Sequence, residues 1–230
     1  MSKRWMVIIG VGLLAGLAVA QDSTAFKTQK EKISYALGMD LGNQLKRQSV
    51  ELDPEVFGQG LKDSISGKTL MTEQEARTVI TDLQNQLRQK QAEMTKLQGE
   101  KNKKEGDEFL AANKTKEGVV TLESGLQYKI LTAGQGKKPT LEDTVVCNYR
   151  GTLINGTEFD SSFKRNQPAT FALKGVIKGW TEALQLMPVG SKWQLFVPAA
   201  LAYGERAPSP DIGPNSTLIF EVELLSIKDK

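Results

Sequence analysis

The sequence predicts an α+β protein, in which an all-α N-terminal region precedes an antiparallel sheet that wraps on one short helix. The composition changes near residue 115, from helix-forming residues to strand residues and glycine. In the last strand, Leu218, Phe220, Val222 and Leu224 alternate with Ile219, Glu221 and Glu223, which is the period-two pattern of a strand with one apolar face. One short helix on one face of such a sheet places the core between the two layers.

The first twenty residues have the pattern of a secretory signal peptide. Lys3 and Arg4 precede an apolar run that ends in Ala18-Val19-Ala20. An uncleaved membrane anchor is the alternative, but the run is shorter than the roughly 20 residues that a membrane-spanning helix needs. We therefore expect residues 1–20 to be removed and the mature protein not to be inserted stably in a membrane.

Two helices are predicted in residues 21–71. The first runs from about Lys30 to Lys46, with a stripe of four apolar residues: Ile33, Leu37, Leu41 and Leu45. The second begins at Asp53-Pro54, an N-cap followed by proline at the first helical position, and ends before Gly67.

Residues 72–114 are predicted to form one long connecting helix. Thr72 and Glu75 have the spacing of a capping box, and proline is absent from the segment. The apolar stripe thins after Leu87, so we expect the first half to pack and the second half to be a solvated spacer, loosened at Gly99 or Gly106.

The N-terminal module offers only a small core. About 65 residues of short helices are marginal alone, and pairing with a second copy is the simplest remedy. A monomeric helical bundle is the alternative that the periodicity leaves open.

Residues 115–230 are predicted to form the sheet domain. A helix over Gly179–Met187 is expected to lie across the sheet with Trp180 at its start. The predicted strands are Leu126–Leu131, Thr144–Ile154, Ala169–Leu173, Lys192–Val197 and Thr217–Ile227. Aromatic residues threaded through these strands indicate a cavity for an apolar guest such as a prolyl ring.

Composition excludes several kinds of chemistry. The chain has no histidine and one cysteine, Cys147, which excludes histidine-based general bases, histidine or multi-cysteine metal sites and an intrachain disulfide. We expect no cofactor or metal, and we expect Cys147 to be a core residue. Without residues 1–20 the chain has 28 basic and 27 acidic residues. This near-neutral balance does not indicate nucleic-acid binding.

Five motifs, in order between Tyr149 and Phe220, resemble the FKBP-type peptidyl-prolyl isomerase domain. They are Tyr149-Arg150-Gly151-Thr152-Leu153, Gly156-Thr157-Glu158-Phe159-Asp160-Ser161-Ser162, Val176-Ile177-Lys178-Gly179-Trp180, Ala202-Tyr203-Gly204 and Leu218-Ile219-Phe220. The segment Ile33-Ser34-Tyr35-Ala36-Leu37-Gly38 is similar to the N-terminal dimerisation module of the macrophage infectivity potentiator group.

The resemblance implies a proline pocket and assigns roles in it. Trp180 would form its floor, Tyr203 and the Ile177 backbone N–H would donate to substrate carbonyls, and Asp160 would lie beside the reacting amide. Arg165 would hold Asp160 or Tyr149. The implied walls are Tyr149, Phe159, Val176, Ile177 and Phe220, with Ile212 from the loop of residues 204–215. Phe171 would pack under the pocket. For Asp160, orienting Tyr149 and Arg165 or stabilising the distorted amide directly are both open.

The resemblance also implies partners and a location. We expect a homodimeric prolyl cis-trans isomerase that acts on proline-containing unfolded or partly folded proteins, in the periplasm or at the outer membrane or cell surface. Macrolide inhibitor binding is implied as well. A holdase chaperone, or a proline-peptide binding module with little turnover, are the alternative functions.

Overall fold

A computed structural model describes residues 26–228, and in this range the chain forms four α-helices and a seven-stranded antiparallel sheet. The predicted signal peptide lies outside the described residues. The helices are α1 (Gln29–Arg47), α2 (Pro54–Ser66), α3 (Glu73–Asn113) and α4 (Lys178–Leu186). No helix within residues 26–228 is long and apolar enough to cross a membrane.

The helix ends follow their capping signals. Asp53 accepts hydrogen bonds from the backbone N–H groups of Glu55 and Val56 at the start of α2, and Gly67 ends that helix with a positive φ of 71°. At the start of α3, Thr72 Oγ1 accepts from the Glu75 N–H at 3.2 Å, and the Glu75 carboxylate accepts from the Thr72 N–H at 2.7 Å. The predicted caps of both helices are therefore confirmed.

The sheet is built around its two longest strands, which pair with each other along their length. The strand order is β1-β2-β6-β7-β3-β4, and β5 also pairs with β3. The strands are β1 (Val119–Thr121), β2 (Gln127–Thr132), β3 (Thr144–Leu153), β4 (Glu158–Ser161), β5 (Ala169–Ala172), β6 (Lys192–Val197) and β7 (Leu218–Ile227). Two of them, β1 and β4, were not predicted, because β1 has only three residues and β4 has a single apolar residue, so neither shows an apolar alternation.

The core of the sheet domain lies between α4 and the sheet. Leu184 of α4 and Leu195 and Val222 of the sheet are fully buried there. Cys147 of β3 belongs to the same core, and burial raises the pKa of its thiol to about 12, so the expectation of an inert core cysteine is confirmed.

The chain divides into two compact units, at Thr78 and Val79. The first unit contains α1, α2 and the start of α3, and among its described residues no side chain of α1 or α2 is buried. The second unit contains the rest of α3 and the sheet domain.

The expectation of a solvated spacer in the second half of α3 is wrong. That half packs on the sheet domain: the Phe109 ring lies 5.9 Å from the Phe196 ring, and Asn113 is buried and donates to Gln127 Oε1 at 3.0 Å. The helix is continuous through Gly99 and Gly106, and both glycines are buried. They mark close approach and not loosening, since a Cβ on Gly106 would lie 2.3 Å from Thr217 Oγ1.

Candidate active site

The sheet domain contains a cavity of about 460 Å³ with aromatic walls. Its first wall comes from β3, β4 and β5, its floor from the first turn of α4, and its remaining sides from β7 and from the segment after β6. The lining residues are Tyr149, Phe159, Asp160, Phe171, Gly175, Val176, Ile177, Trp180, Tyr203, Pro208, Ser209, Ile212 and Phe220.

Trp180 is held at the centre of the aromatic cluster. Its ring lies 5.4 Å from that of Tyr149 and 5.3 Å from those of Phe171 and Phe220, with interplanar angles of 77–87°. Edge-to-face pairs of this kind each contribute about 0.5–1.5 kcal/mol beyond area burial. Trp180 is 4% exposed, so the floor of the cavity is a fixed apolar surface.

Two glycines allow this packing. A Cβ on Gly151 would lie 2.6 Å from the Phe159 ring and 3.0 Å from the Phe220 ring, so only glycine lets these two rings meet over β3. A Cβ on Gly179 would lie 2.5 Å from Val197 Cγ1, which shows how closely the first turn of α4 approaches β6. The first of these roles had a signal in the sequence, a glycine inside a strand.

A polar network occupies one side of the cavity. The Tyr149 hydroxyl donates to Asp160 Oδ2, and Arg165 donates from Nη1 to Asp160 Oδ1 at 2.5 Å and from Nη2 to Tyr149 Oη at 2.7 Å. The Ser161 backbone N–H also donates to Asp160 Oδ1, at 2.8 Å. The carboxylate therefore has three donors that fix its orientation.

The network shifts the titration of its members. Burial alone would raise the pKa of Asp160, but hydrogen bonds from Tyr149 and Arg165, the charge of Arg165 and the Ser161 N–H outweigh it and lower the pKa. Burial, followed by the hydrogen bond to Asp160, raises the pKa of Tyr149. At neutral pH the site therefore holds a carboxylate and a neutral phenol.

The Tyr203 hydroxyl and the Ile177 backbone N–H are hydrogen-bond donors at the cavity without a partner among the described residues, and the buried Trp180 Nε1–H in the floor also has none. Ile177 directly precedes α4 in an extended conformation, with φ −61° and ψ 149°. Tyr203 lies just before the loop that covers the cavity. Both donors are available to a bound carbonyl oxygen.

The structure brings together the residues that the sequence singled out. Nine of the ten candidate site residues line the cavity, and the tenth, Arg165, lies behind Asp160 and contacts it. Phe171, expected beneath the pocket, lines the cavity as well. Gly175, Pro208 and Ser209 were not anticipated; the last two lie in the predicted covering loop, but its composition gave no sign of which side chains face inward.

An antiparallel sheet packs on one helix and encloses an aromatic cavity, in a chain that has no histidine. This arrangement is that of a prolyl-isomerase type of domain. Two family models match the chain. The domain amino terminal to FKBP-type peptidyl-prolyl isomerase matches residues 30–130, and the FKBP-type peptidyl-prolyl cis-trans isomerase matches residues 135–225.

Curated relatives match over almost the whole chain. The chain is 48% identical over 231 aligned residues to the peptidyl-prolyl cis-trans isomerase Mip of Coxiella burnetii, with 100% of both chains covered. It is 49% identical over 222 residues to the outer membrane protein MIP of Legionella longbeachae, covering 96% of this chain and 95% of that relative. The crystal structure of FkpA from Escherichia coli matches with a TM-score of 0.72 and 39% identity, covering 89% of this chain and 99% of that one.

This chain belongs to the FKBP-type peptidyl-prolyl cis-trans isomerase family, and it is an enzyme of that class. The recognition from sequence motifs and the predicted fold class are both confirmed.

Proposed function

We propose that the cavity binds the prolyl ring of an X-Pro segment and that the enzyme accelerates X-Pro isomerisation in folding proteins of the bacterial envelope. The observation that carries the proposal is the buried Trp180 floor, enclosed by aromatic rings, beside two donors without an intramolecular partner. An apolar floor accommodates the ring, and the two donors would donate hydrogen bonds to the flanking carbonyl oxygens.

The chemistry follows from the electronic structure of the amide. Rotation is slow because resonance gives the C–N bond double-bond character, with a barrier of ~18–20 kcal/mol. In the twisted amide that resonance is lost and charge separation falls, so an apolar, water-poor cavity favours the twisted form over the planar one. Lowering the barrier by about 7 kcal/mol would accelerate rotation roughly 10⁵-fold.

The polar residues are proposed to orient the substrate. Tyr203 and the Ile177 N–H would hold carbonyl oxygens on either side of the rotating bond. Asp160, kept ionised and fixed by Tyr149 and Arg165, would place negative charge beside the distorted amide. The same network contacts the Tyr149 hydroxyl, which supports the orienting role for Asp160 beside the electrostatic one.

The test is a proline-limited refolding assay on the full-length mature protein. Asp160→Leu and Tyr203→Phe are expected to lower kcat/KM by at least about tenfold, the scale for losing a positioned electrostatic group. Tyr128→Phe is the matched control, because Tyr128 stacks on Trp193 outside the cavity. Full activity in both site variants would show that the assigned site is wrong. Displacement of substrate by a macrolide inhibitor would place that ligand in the same cavity.

The N-terminal helices support a further proposal, a homodimer. Leu37 is 67% exposed, Leu61 58% and Ile65 81% within the single chain, although they lie on regular apolar stripes. An apolar surface of this kind in a small helical unit requires a partner. A second copy of the chain is the partner that the family resemblance implies.

A dimer would present two isomerase domains to one unfolded client, and we propose chaperone activity as a second function on this ground. Aggregation of a proline-free client tests it, because suppression there cannot arise from isomerisation. Envelope location is proposed from the N-terminal pattern of residues 1–20 and from the relative named an outer membrane protein.

A further inference from the structure

The loop of residues 204–215, called here the pocket loop, has two sides with different contacts. On one side Pro208, Ser209 and Ile212 line the cavity. Its N-terminal end is held by the Gly204 N–H, which donates to Ala199 O at 2.8 Å, and by the Arg206 N–H, which donates to Tyr203 O at 3.2 Å. Further along, the Ile212 N–H donates to Ser209 O at 3.2 Å, and the Asn215 N–H donates to Gly204 O at 2.7 Å across the base. Ile212 is 5% exposed and packs in the domain core, so the loop is held at this residue and at its C-terminal end.

The connecting helix α3 supplies that support. Asn102 Nδ2 donates to the carbonyl oxygen of Pro214 at 2.8 Å and contacts Ser216 Oγ at 3.3 Å. One turn earlier, the carbonyl oxygen of Gly99 accepts from Asn215 Nδ2 at 3.4 Å. The loop is thus tied to α3 immediately after its cavity-lining residues.

The Asn102 amide is fixed at both ends. Its Oδ1 accepts from Gln98 Nε2 at 2.7 Å, which leaves Nδ2 to face the loop. The contact is also tight, because a Cβ on Gly213 would lie 2.9 Å from Asn102 Nδ2, and one on Gly99 would lie 3.3 Å from Pro214 Cγ. Pro214 is buried at this contact, so the loop cannot shift here without breaking it.

We propose that Asn102 is a positioning residue for the pocket loop, and that the connecting helix thereby contributes to recognition of the residues flanking the substrate proline. Asn102 lines no part of the cavity and acts through Pro214 on Ile212. The inference rests on the proposed function, since it assigns the loop to the same substrate site.

The first test is hydrogen exchange on the full-length protein, with three variants. Asn102→Ala removes the side chain, Asn102→Asp keeps its shape but removes the Nδ2 donor, and Asn85→Ala is the matched control on an exposed position of the same helix. Exchange in the pocket loop is expected to accelerate about three- to tenfold in both Asn102 variants, the range for one lost hydrogen bond, with β7 unchanged. Asn85→Ala should exchange like the wild type.

The second test separates binding from turnover. KM and kcat are measured by NMR exchange for a four-residue proline peptide and for a peptide of about eight residues that extends under the loop. Both Asn102 variants should raise KM for the longer peptide about three- to tenfold, raise KM for the short peptide by less, and leave kcat unchanged.

Three results would overturn the inference: wild-type behaviour of Asn102→Asp, faster exchange throughout the sheet, or a fall in kcat with KM unchanged. A wild type that does not accelerate prolyl isomerisation would instead refute the proposed function, and the recognition role of the loop with it. An active wild type beside unaltered Asn102 variants would refute this inference alone.

Discussion

The two halves of the chain use apolar residues in opposite ways. In α1 and α2 the apolar side chains repeat with helical spacing, yet among the described residues none of these helices' side chains is buried. In the sheet domain the core is complete within one chain, and Leu173, Leu195 and Leu218 are fully inaccessible to solvent. Amphipathic periodicity marks a surface that needs a partner, but it does not say whether that partner lies in the same chain.

The connecting helix α3 contains both an exposed segment and a segment that is buried against the sheet. Near its start Val79 is 60% exposed, whereas Gly106 and Asn113 further along are buried against the sheet domain. The unit that folds around the active site therefore begins well before the first strand. Truncations and substitutions in each region test this difference. The largest loss of stability is expected where α3 packs on the sheet.

Removing α3 from the sheet domain should lower its free energy of unfolding more than any other change. We expect the fragment of residues 115–230 to have a free energy of unfolding about 4 kcal/mol or more below that of residues 79–230. The loss of Phe109 uncovers Phe196, and the loss of Asn113 leaves the buried Gln127 without a partner.

Urea unfolding followed by tryptophan fluorescence measures this difference, since Trp180 and Trp193 both lie in the domain core. Equal unfolding free energies for the two fragments would contradict the assignment of the second half of α3 to the isomerase domain.

A charge on the N-terminal helices should disrupt self-association without unfolding the sheet domain. Phe57 is 43% exposed on α2 within the single chain. If a second copy covers it, Phe57→Glu buries an unpaired carboxylate, and the dimer should weaken by at least about 100-fold in Kd. Sedimentation velocity measures this change.

Gln44→Glu is the control for Phe57→Glu, because it adds the same charge at an exposed polar position of α1. Prolyl isomerisation of a short peptide should be unchanged in both variants. Unaltered association in Phe57→Glu would place the partner surface elsewhere.

The sequence predicted the parts of the molecule whose structure depends on a periodic apolar pattern or on residues that are adjacent in the chain. Asp53, Pro54 and Gly67 mark α2 because capping depends on residues that are adjacent in the chain. Trp180 was found because the motif around it has an ordered spacing. The candidate site on the strands and on α4 could be predicted residue by residue because the ordered motifs resemble those of a known family, and not because of a periodic or local signal.

The docking of α3 could not be predicted, because apart from the Phe109 ring against Phe196 its contacts are made by amides and glycines. Asn102 and Asn113 bind through their amides, and Gly99 and Gly106 permit close approach, so a hydrophobic stripe is missing where the helix packs most tightly. The inward orientation of Ser209 could not be predicted either. It depends on a loop whose shape is set by contacts more than 100 residues apart in the chain.

Two glycine-to-alanine substitutions, one in each region, are expected to change the free energy of unfolding the least. They compare the two regions most directly. Alanine stabilises a helix interior by about 0.5–1 kcal/mol relative to glycine when the site has room. Gly58 of α2 has no atom within 4 Å of an added Cβ in the single chain, whereas a Cβ on Gly106 would lie 2.3 Å from the Oγ1 of buried Thr217. Gly58→Ala should therefore gain that amount, and Gly106→Ala should lose about 1–2 kcal/mol net because Thr217 must shift.

Circular dichroism at 222 nm during urea unfolding follows both units, and alkylation of the buried Cys147 thiol reports opening of the sheet domain alone. Gly106→Ala should accelerate that alkylation and Gly58→Ala should not. A loss of stability in Gly58→Ala would mean that a second chain covers this position, which would locate part of the dimer interface on α2. Equal gains in both variants would mean that α3 does not stay against Thr217 in solution, and the positioning role of Asn102, one turn away, would lose its structural basis.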